Sequence, residues 1–189
     1  VAFALDLIVT LTGLAVFAQH IWALRGHFAS DRMTREARII SVAALATCLV
    51  MVLLVWQVLQ PPLAQLIGLA IMAGSLVVFW AAVRASRAAR LRFAFDSALP
   101  AQLVTTGPYR IVRHPFYVSY LLFWFGWALA SWSAWALLPL ATMATLYLIA
   151  ARYEEKLLAT SDMAEAYAAY QRETGLFWPK IRWRSLPQN

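Results

Sequence analysis

The sequence predicts an all-α integral membrane protein of about five transmembrane helices, with the N-terminus outside and a cytosolic amphipathic C-terminal helix. Three observations carry this. The 189 residues are 62% hydrophobic and only 13% charged, whereas soluble domains average roughly 45–50% apolar and about 25% charged. The apolar residues fall into segments near the ~20 residues that cross ~30 Å of hydrocarbon. All 16 Lys and Arg lie in three stretches, Arg25–Arg38, Arg84–Arg113 and Arg152–Arg184, and the connections at Gln60–Gln65 and Ser131–Ser133 carry none. With five spans those three stretches share one side, and the excess of Lys and Arg makes it cytoplasmic. Nine Trp and seven Tyr suit a chain with two membrane interfaces.

The elements follow in order. Ala2–Leu24 is a first span, with Asp6, Gln19 and His20 as its polar interruptions. It lacks a basic leader or a small-residue cleavage site and reads as a retained span. Ile39–Leu59 is a second span. Gln60-Pro61-Pro62 is a turn, because proline ends a helix and pushes the preceding residue extended. Leu63–Val83 is a third span. Arg84, Arg87 and Arg90 then recur every three residues, as on a helix leaving the bilayer and running along its surface. Asp96–Gly107 is irregular. Phe116–Ser131 and Trp132–Ala151 form a short fourth and fifth span, tilted or less than fully crossing. Arg152–Glu173 is an Ala- and Glu-rich amphipathic helix, and Trp178–Asn189 a basic aromatic tail. Residues 1–93 hold three spans plus the surface helix; residues 94–189 hold the Arg113–Tyr117 segment, the helical hairpin and the C-terminal helix, and the two make one structural unit.

Several function classes are excluded. The net charge of +7 invites a nucleic-acid reading, but the basic residues flank apolar spans, which points to orientation and anionic lipid instead. Cys48 is the one cysteine, so no intramolecular disulfide or CxxC site exists; it reads as a small packing residue. His20, His27 and His114 lack HExxH spacing, and no metal is expected.

Polar residues concentrate at the cytoplasmic ends of the last two spans. Gly107-Pro108-Tyr109 and Arg113-His114-Pro115-Phe116-Tyr117 enter the fourth span directly. Pro115 suits a helix start, where its missing N–H costs nothing. His114 and Tyr117, three apart, share a face. Beyond the fifth span comes Arg152-Tyr153-Glu154-Glu155-Lys156, followed by Tyr167 and Tyr170 at helical spacing. Two adjacent carboxylates against apolar surface need a partner or a cation to bind. Taken singly, each residue has an ordinary use: Arg113 reaching lipid phosphates, His114 capping a helix, the glutamates pairing with Arg152 or Lys156. Together they describe a cytosol-facing site of His and Arg donors, carboxylate acceptors and aromatic walls.

In order and spacing these segments resemble the isoprenylcysteine carboxyl methyltransferase family and its prokaryotic relatives, with phospholipid methyltransferases more distant. The shared pattern is GPY…RHPxY, a helical hairpin, an EE…L segment and a Tyr-rich helix ending near Pro179, across roughly Thr105–Pro179. Ser119 stands where many members have glycine and is small enough for close helix packing. The resemblance implies an S-adenosylmethionine-dependent methyltransferase whose cofactor pocket opens to the cytosol. The acceptor would be a lipophilic small molecule or lipid-linked substrate entering from the bilayer, the carboxylate of a prenylcysteine-like molecule being one candidate. The implied cofactor-binding residues are Tyr109, His114, Pro115, Tyr117, Glu155, Tyr167 and Tyr170. The candidate catalytic residues are Arg113, Arg152 and Glu154, either arginine matching a carboxylate bidentately. Arginine far outnumbers lysine, a bias of GC-rich genomes that suggests a bacterial cytoplasmic membrane. Two other readings compete. An NADPH-dependent sterol-type reductase would use Arg110 and Arg113 for phosphates, which the glutamate pair would repel. A non-enzymatic assembly or transporter subunit would bind no cofactor.

Overall fold

The computed structural model describes residues 2–27, 33–57, 59–89, 91, 95–96 and 99–180. Among these the chain is helical, with no strand: α1 (Ala2–His27), α2 (Arg35–Gln57), α3 (Pro62–Ser86), α4 (Pro115–Ser131), α5 (Leu137–Ala159) and α6 (Ala164–Glu173). Local chemistry sets several boundaries. The Thr34 hydroxyl accepts the Ala37 N–H at 3.1 Å and caps α2. Pro62 opens α3 from an extended Pro61. Trp132 closes α4 in the left-handed conformation at φ 47°.

Four of the described helices are long and apolar enough to cross a membrane: Phe3–Ala23, Arg35–Gln57, Pro62–Ser86 and Ala134–Ala159. The expected fourth span is α4, with 17 residues; at 1.5 Å per residue it covers ~25 Å, short of the ~30 Å hydrocarbon core. It is instead the most enclosed element, burying Trp124, Trp127 and Phe123 inside the bundle. Its partner is α3. A Cβ on Gly126 would sit 2.8 Å from the Gly68 carbonyl oxygen, and one on Gly68 would strike Gly126 and Ala130. The two backbones therefore touch through small residues, as is usual where lipid removes the hydrophobic drive between helices. The outer helices face lipid: Ile39, Val42, Leu45, Leu49 and Leu53 stand exposed along α2, opposite buried Cys48, Met51 and Val55.

Two expected elements differ. The amphipathic helix at Arg152–Glu173 is in fact two: α5 continues to Ala159, and α6 begins at Ala164. Hydroxyls make the break. Thr160 Oγ1 donates to the Lys156 carbonyl at 3.2 Å, and Ser161 Oγ to the Leu158 carbonyl at 2.7 Å, competing with the helical ladder. The surface helix at Arg84–Arg92 is also revised. Arg84 lies in the last turn of α3, and Arg87–Ala89 is a single 3-10 turn; Arg90 and Arg92 lie outside the described residues. Of the tail, 178–180 has no regular structure and 181–189 lies outside the described residues.

Candidate active site

The site is assembled at the end of the bundle where α4 begins and α5 ends. Pro108 and Gly107 turn the chain through a 3-10 segment, Gly107–Arg110, with Gly107 at φ 58°, a conformation glycine adopts without penalty. The chain then runs as Val112-Arg113-His114 into Pro115, the first residue of α4. Beside it lies Thr174–Phe177, just beyond α6. Val112 pairs with Gly175 in a single parallel bridge. Arg113 N–H donates to the Gly175 carbonyl at 2.8 Å and His114 N–H to the Leu176 carbonyl at 3.3 Å. A side chain on Gly175 would collide with the Trp178 carbonyl, so this close return of the backbone requires glycine.

The side chains then interlock. Arg113 Nε donates to Glu155 Oε1 at 2.6 Å, with the two side chains 10% and 7% exposed. Its NH1 donates to the Thr174 carbonyl. Arg152, 65% exposed, reaches Glu155 Oε2 from outside at 3.2 Å. The Tyr117 hydroxyl donates to Glu154 Oε1 at 2.5 Å. His114 Nδ1 lies 3.5 Å from Glu154 Oε2, and Nε2 lies 3.7 Å from Glu155 Oε1; at that length Nε2 is buried without a hydrogen-bond partner. The Tyr170 hydroxyl ties α6 to the Tyr109 carbonyl at 2.6 Å.

Electrostatics follow from this packing. Burial opposes the His114 imidazolium, but Glu154 and Glu155 outweigh it and raise His114 above its ordinary value. Burial raises the Tyr109 and Tyr167 phenols and pushes Tyr170 up to about 12. All three stay protonated at neutral pH and serve as neutral hydrogen-bonding walls.

A cavity of about 490 Å³ opens onto this cluster, within the ~300–1,000 Å³ typical of small-molecule sites. Its polar end is bounded by Tyr109, Arg113, His114, Pro115, Tyr117, Glu154, Tyr167 and Tyr170. Its other end runs among α1, α2 and α4, past Phe17, His20, Ile40, Ala44, Tyr120 and Trp124. Nearly all the predicted site residues therefore meet. Two stand apart: Glu155 and Arg152 do not line the cavity. Of the two adjacent glutamates the one on its wall is Glu154, while Glu155 is turned back toward Arg113; Asp96 also lines the cavity. Among the described residues no cluster of three or more His, Cys, Asp or Glu side chains is arranged to hold a metal.

Sequence reasoning missed several parts. Tyr120 and Trp124 follow Tyr117 at helical spacing, and Tyr147 faces them from α5, its ring stacked on Tyr117 at 5.4 Å and its hydroxyl accepting from Trp124 Nε1 at 3.1 Å. The three-, four-residue spacing of aromatics was a usable signal. The docking of Thr174–Phe177 and the presence of His20 on the cavity wall had none.

Comparison with known proteins fits this arrangement. The profile of the phospholipid methyltransferase family matches residues 63–161, which take in α3, α4, α5 and both charged motifs. A methanethiol S-methyltransferase of Pseudomonas sp. is 44% identical over 73 residues, which are 38% of this chain and 26% of that protein; the likeness thus reaches about a quarter of the relative's length. These matches favour methyl transfer over the reductase and non-enzymatic readings. Spanning more than half of the chain and both charged motifs, the profile match shows that the chain belongs to the phospholipid methyltransferase family of membrane methyltransferases.

Proposed function

We propose that the protein transfers a methyl group from S-adenosylmethionine to a lipophilic acceptor that reaches the cavity from the bilayer. One observation carries the reading: a single cavity joins a head bearing both signs of charge to an apolar, aromatic limb. The donor is an amino-acid zwitterion on a nucleoside, and the head offers a partner for each part. Glu154, oriented by Tyr117, suits an ammonium or sulfonium. His114 suits a carboxylate, because its buried Nε2 has a hydrogen bond still to give. Tyr117 and Tyr147 supply flat faces for a base. When bound, the cofactor supplies a methyl group already activated as a sulfonium. The chain's own contribution is then to hold two reactants in line and exclude water.

The acceptor follows from which charges remain. A carboxylate acceptor needs an arginine, but Arg113 is engaged by Glu155 and Thr174, and Arg152 lies outside the cavity wall. A neutral nucleophile suits the limb better, and the relative's name specifies a thiol. The reading includes a charged head that faces the cytosol of a bacterial cell, and the basic residues at the start of α2 and at the ends of α3 and α5 support it by the positive-inside rule.

The test is transfer of a tritiated methyl group from S-adenosylmethionine to a long-chain thiol by the detergent-purified protein. We expect solvent-extractable label with the wild type and a loss of at least ~100-fold with Glu154→Ala, the scale of a lost charge contact of about 2.7 kcal/mol. Label that never appears with the thiol, with a prenylcysteine analogue or with phospholipid would remove the reading.

A further inference from the structure

His20 lies about two turns before the C-terminal end of α1, 7% exposed, and it is not part of any motif that carries the family likeness. At 1.5 Å per residue it sits ~10 Å inside the end of α1 at His27. An ionisable residue within a membrane span marks function by default. Three rings box it: Phe79 at 4.8 Å, Tyr120 at 4.9 Å and Phe123 at 5.4 Å. It lines the cavity, and its Nε2 is buried without a hydrogen-bond partner. A polar atom in that position costs free energy unless something enters to pair with it.

The surroundings limit what that partner can be. Among the described residues lining the cavity, Arg113 at the polar head is the one arginine or lysine. No carboxylate pairs with His20 among the described residues. An anion drawn into this aromatic box would be desolvated with no fixed counter-charge. A neutral protic group meets no such penalty, because a neutral imidazole nitrogen accepts its proton in a hydrogen bond. Past His20 the limb is walled by Phe17, Ile40, Ala44 and Leu45, which suits an alkyl chain.

We propose that His20 is the specificity-determining residue for the acceptor: its imidazole holds the uncharged S–H head of a thiol whose apolar chain fills the limb between α1 and α2. This rests on the methyltransferase reading, since the donor must occupy the charged head and leave the limb to the acceptor. His20 thereby sets a preference for thiols over carboxylates of equal chain length.

The experiment uses purified protein saturated with S-adenosylhomocysteine and follows intrinsic tryptophan fluorescence, Trp124 being on the cavity wall. Hexanethiol and hexanoate are titrated in turn. We expect hexanethiol to bind at least ~10-fold more tightly than hexanoate. His20→Leu should weaken hexanethiol about fivefold to tenfold, His20→Gln should keep most of the affinity, and both should bind S-adenosylhomocysteine as the wild type does. His20→Phe, which keeps a ring in the aromatic box, gives the same reading should His20→Leu not fold. Unchanged hexanethiol affinity in His20→Leu or His20→Phe overturns the assignment, as does tighter binding of hexanoate than of hexanethiol. A wild type that binds S-adenosylhomocysteine but not hexanethiol overturns His20 alone; one that fails to bind S-adenosylhomocysteine overturns the methyltransferase reading beneath it.

Discussion

The two ends of the helical bundle both bury polar side chains, and they do so in opposite ways. At the end where α2 meets α3, Gln65 is 1% exposed and donates to Asp6 Oδ1 at 2.6 Å. Gln60 in turn donates to the Val55 carbonyl at 2.6 Å. That cluster is closed on itself, and none of its residues lines the cavity of the site. At the other end, Arg113, Glu155, Tyr117 and Glu154 are also tightly paired, yet the cluster borders a cavity, and His114 Nε2 is left over. A polar network that satisfies itself holds helices together. One that stops short, facing open space, is prepared for something else.

The sharpest way to break this comparison is to remove Glu155. Arg113 would then be buried with no counter-charge, which typically costs ~3–5 kcal/mol. Glu155→Ala should therefore lower the thermal midpoint strongly and take ligand binding with it. Glu154→Ala, on the more exposed wall, should lose ligand binding with a much smaller shift. Equal midpoints for the two variants would show that the pair is not divided into a structural and a ligand-facing carboxylate.

Next in size is Tyr117→Phe. It removes a donor to a carboxylate, worth ~1.5–3 kcal/mol, and frees Glu154 to move. The expected result is weaker S-adenosylhomocysteine binding by about tenfold or more, read by calorimetry. Gln65→Ala sharpens the contrast from the opposite end. Leaving Asp6 unpaired should cost ~1–3 kcal/mol of stability, while S-adenosylhomocysteine affinity stays as in the wild type.

The smallest expected effect is that of pH. His114 is held above its ordinary 6.5 because two glutamates outweigh burial. A raised value in the folded state means that protonation favours the fold. Its contribution is complete below pH 6.5 and declines as the pH rises through the raised value. The thermal midpoint of the wild type should fall over that window, and that of His114→Gln should not. A midpoint that rose with pH there would reverse the sign.

How much of this could be read from the chain depends on the kind of contact. Helices and their turns were legible because hydropathy, Pro61-Pro62 and the basic flanks are local signals. The two charged motifs were legible because GPY…RHPxY and the glutamate pair keep order and spacing. The break at Thr160–Met163 was hidden, since hydroxyls that compete with the backbone look like ordinary polar residues on an amphipathic helix. Which glutamate faces the cavity was hidden for a geometric reason. Adjacent helical residues point ~100° apart, and the rotation of α5 is set by its neighbours, not by its own sequence. The segment Thr174–Phe177 reaches the site across 61 residues from Arg113, and its value lies in backbone carbonyls that every residue possesses. His20 was visible only as an interruption of the first span, until three rings from α3 and α4 closed around it.

The central claim is that the charged end of the bundle is a ligand site and the opposite polar end is not. The most direct measurement is calorimetric titration of S-adenosylhomocysteine into detergent-purified wild type, Glu154→Ala and Gln65→Ala, each first shown to be folded by its thermal midpoint. The account predicts binding by the wild type and by Gln65→Ala, and none by Glu154→Ala. Binding that survives Glu154→Ala, or that is absent from the folded wild type, would contradict it.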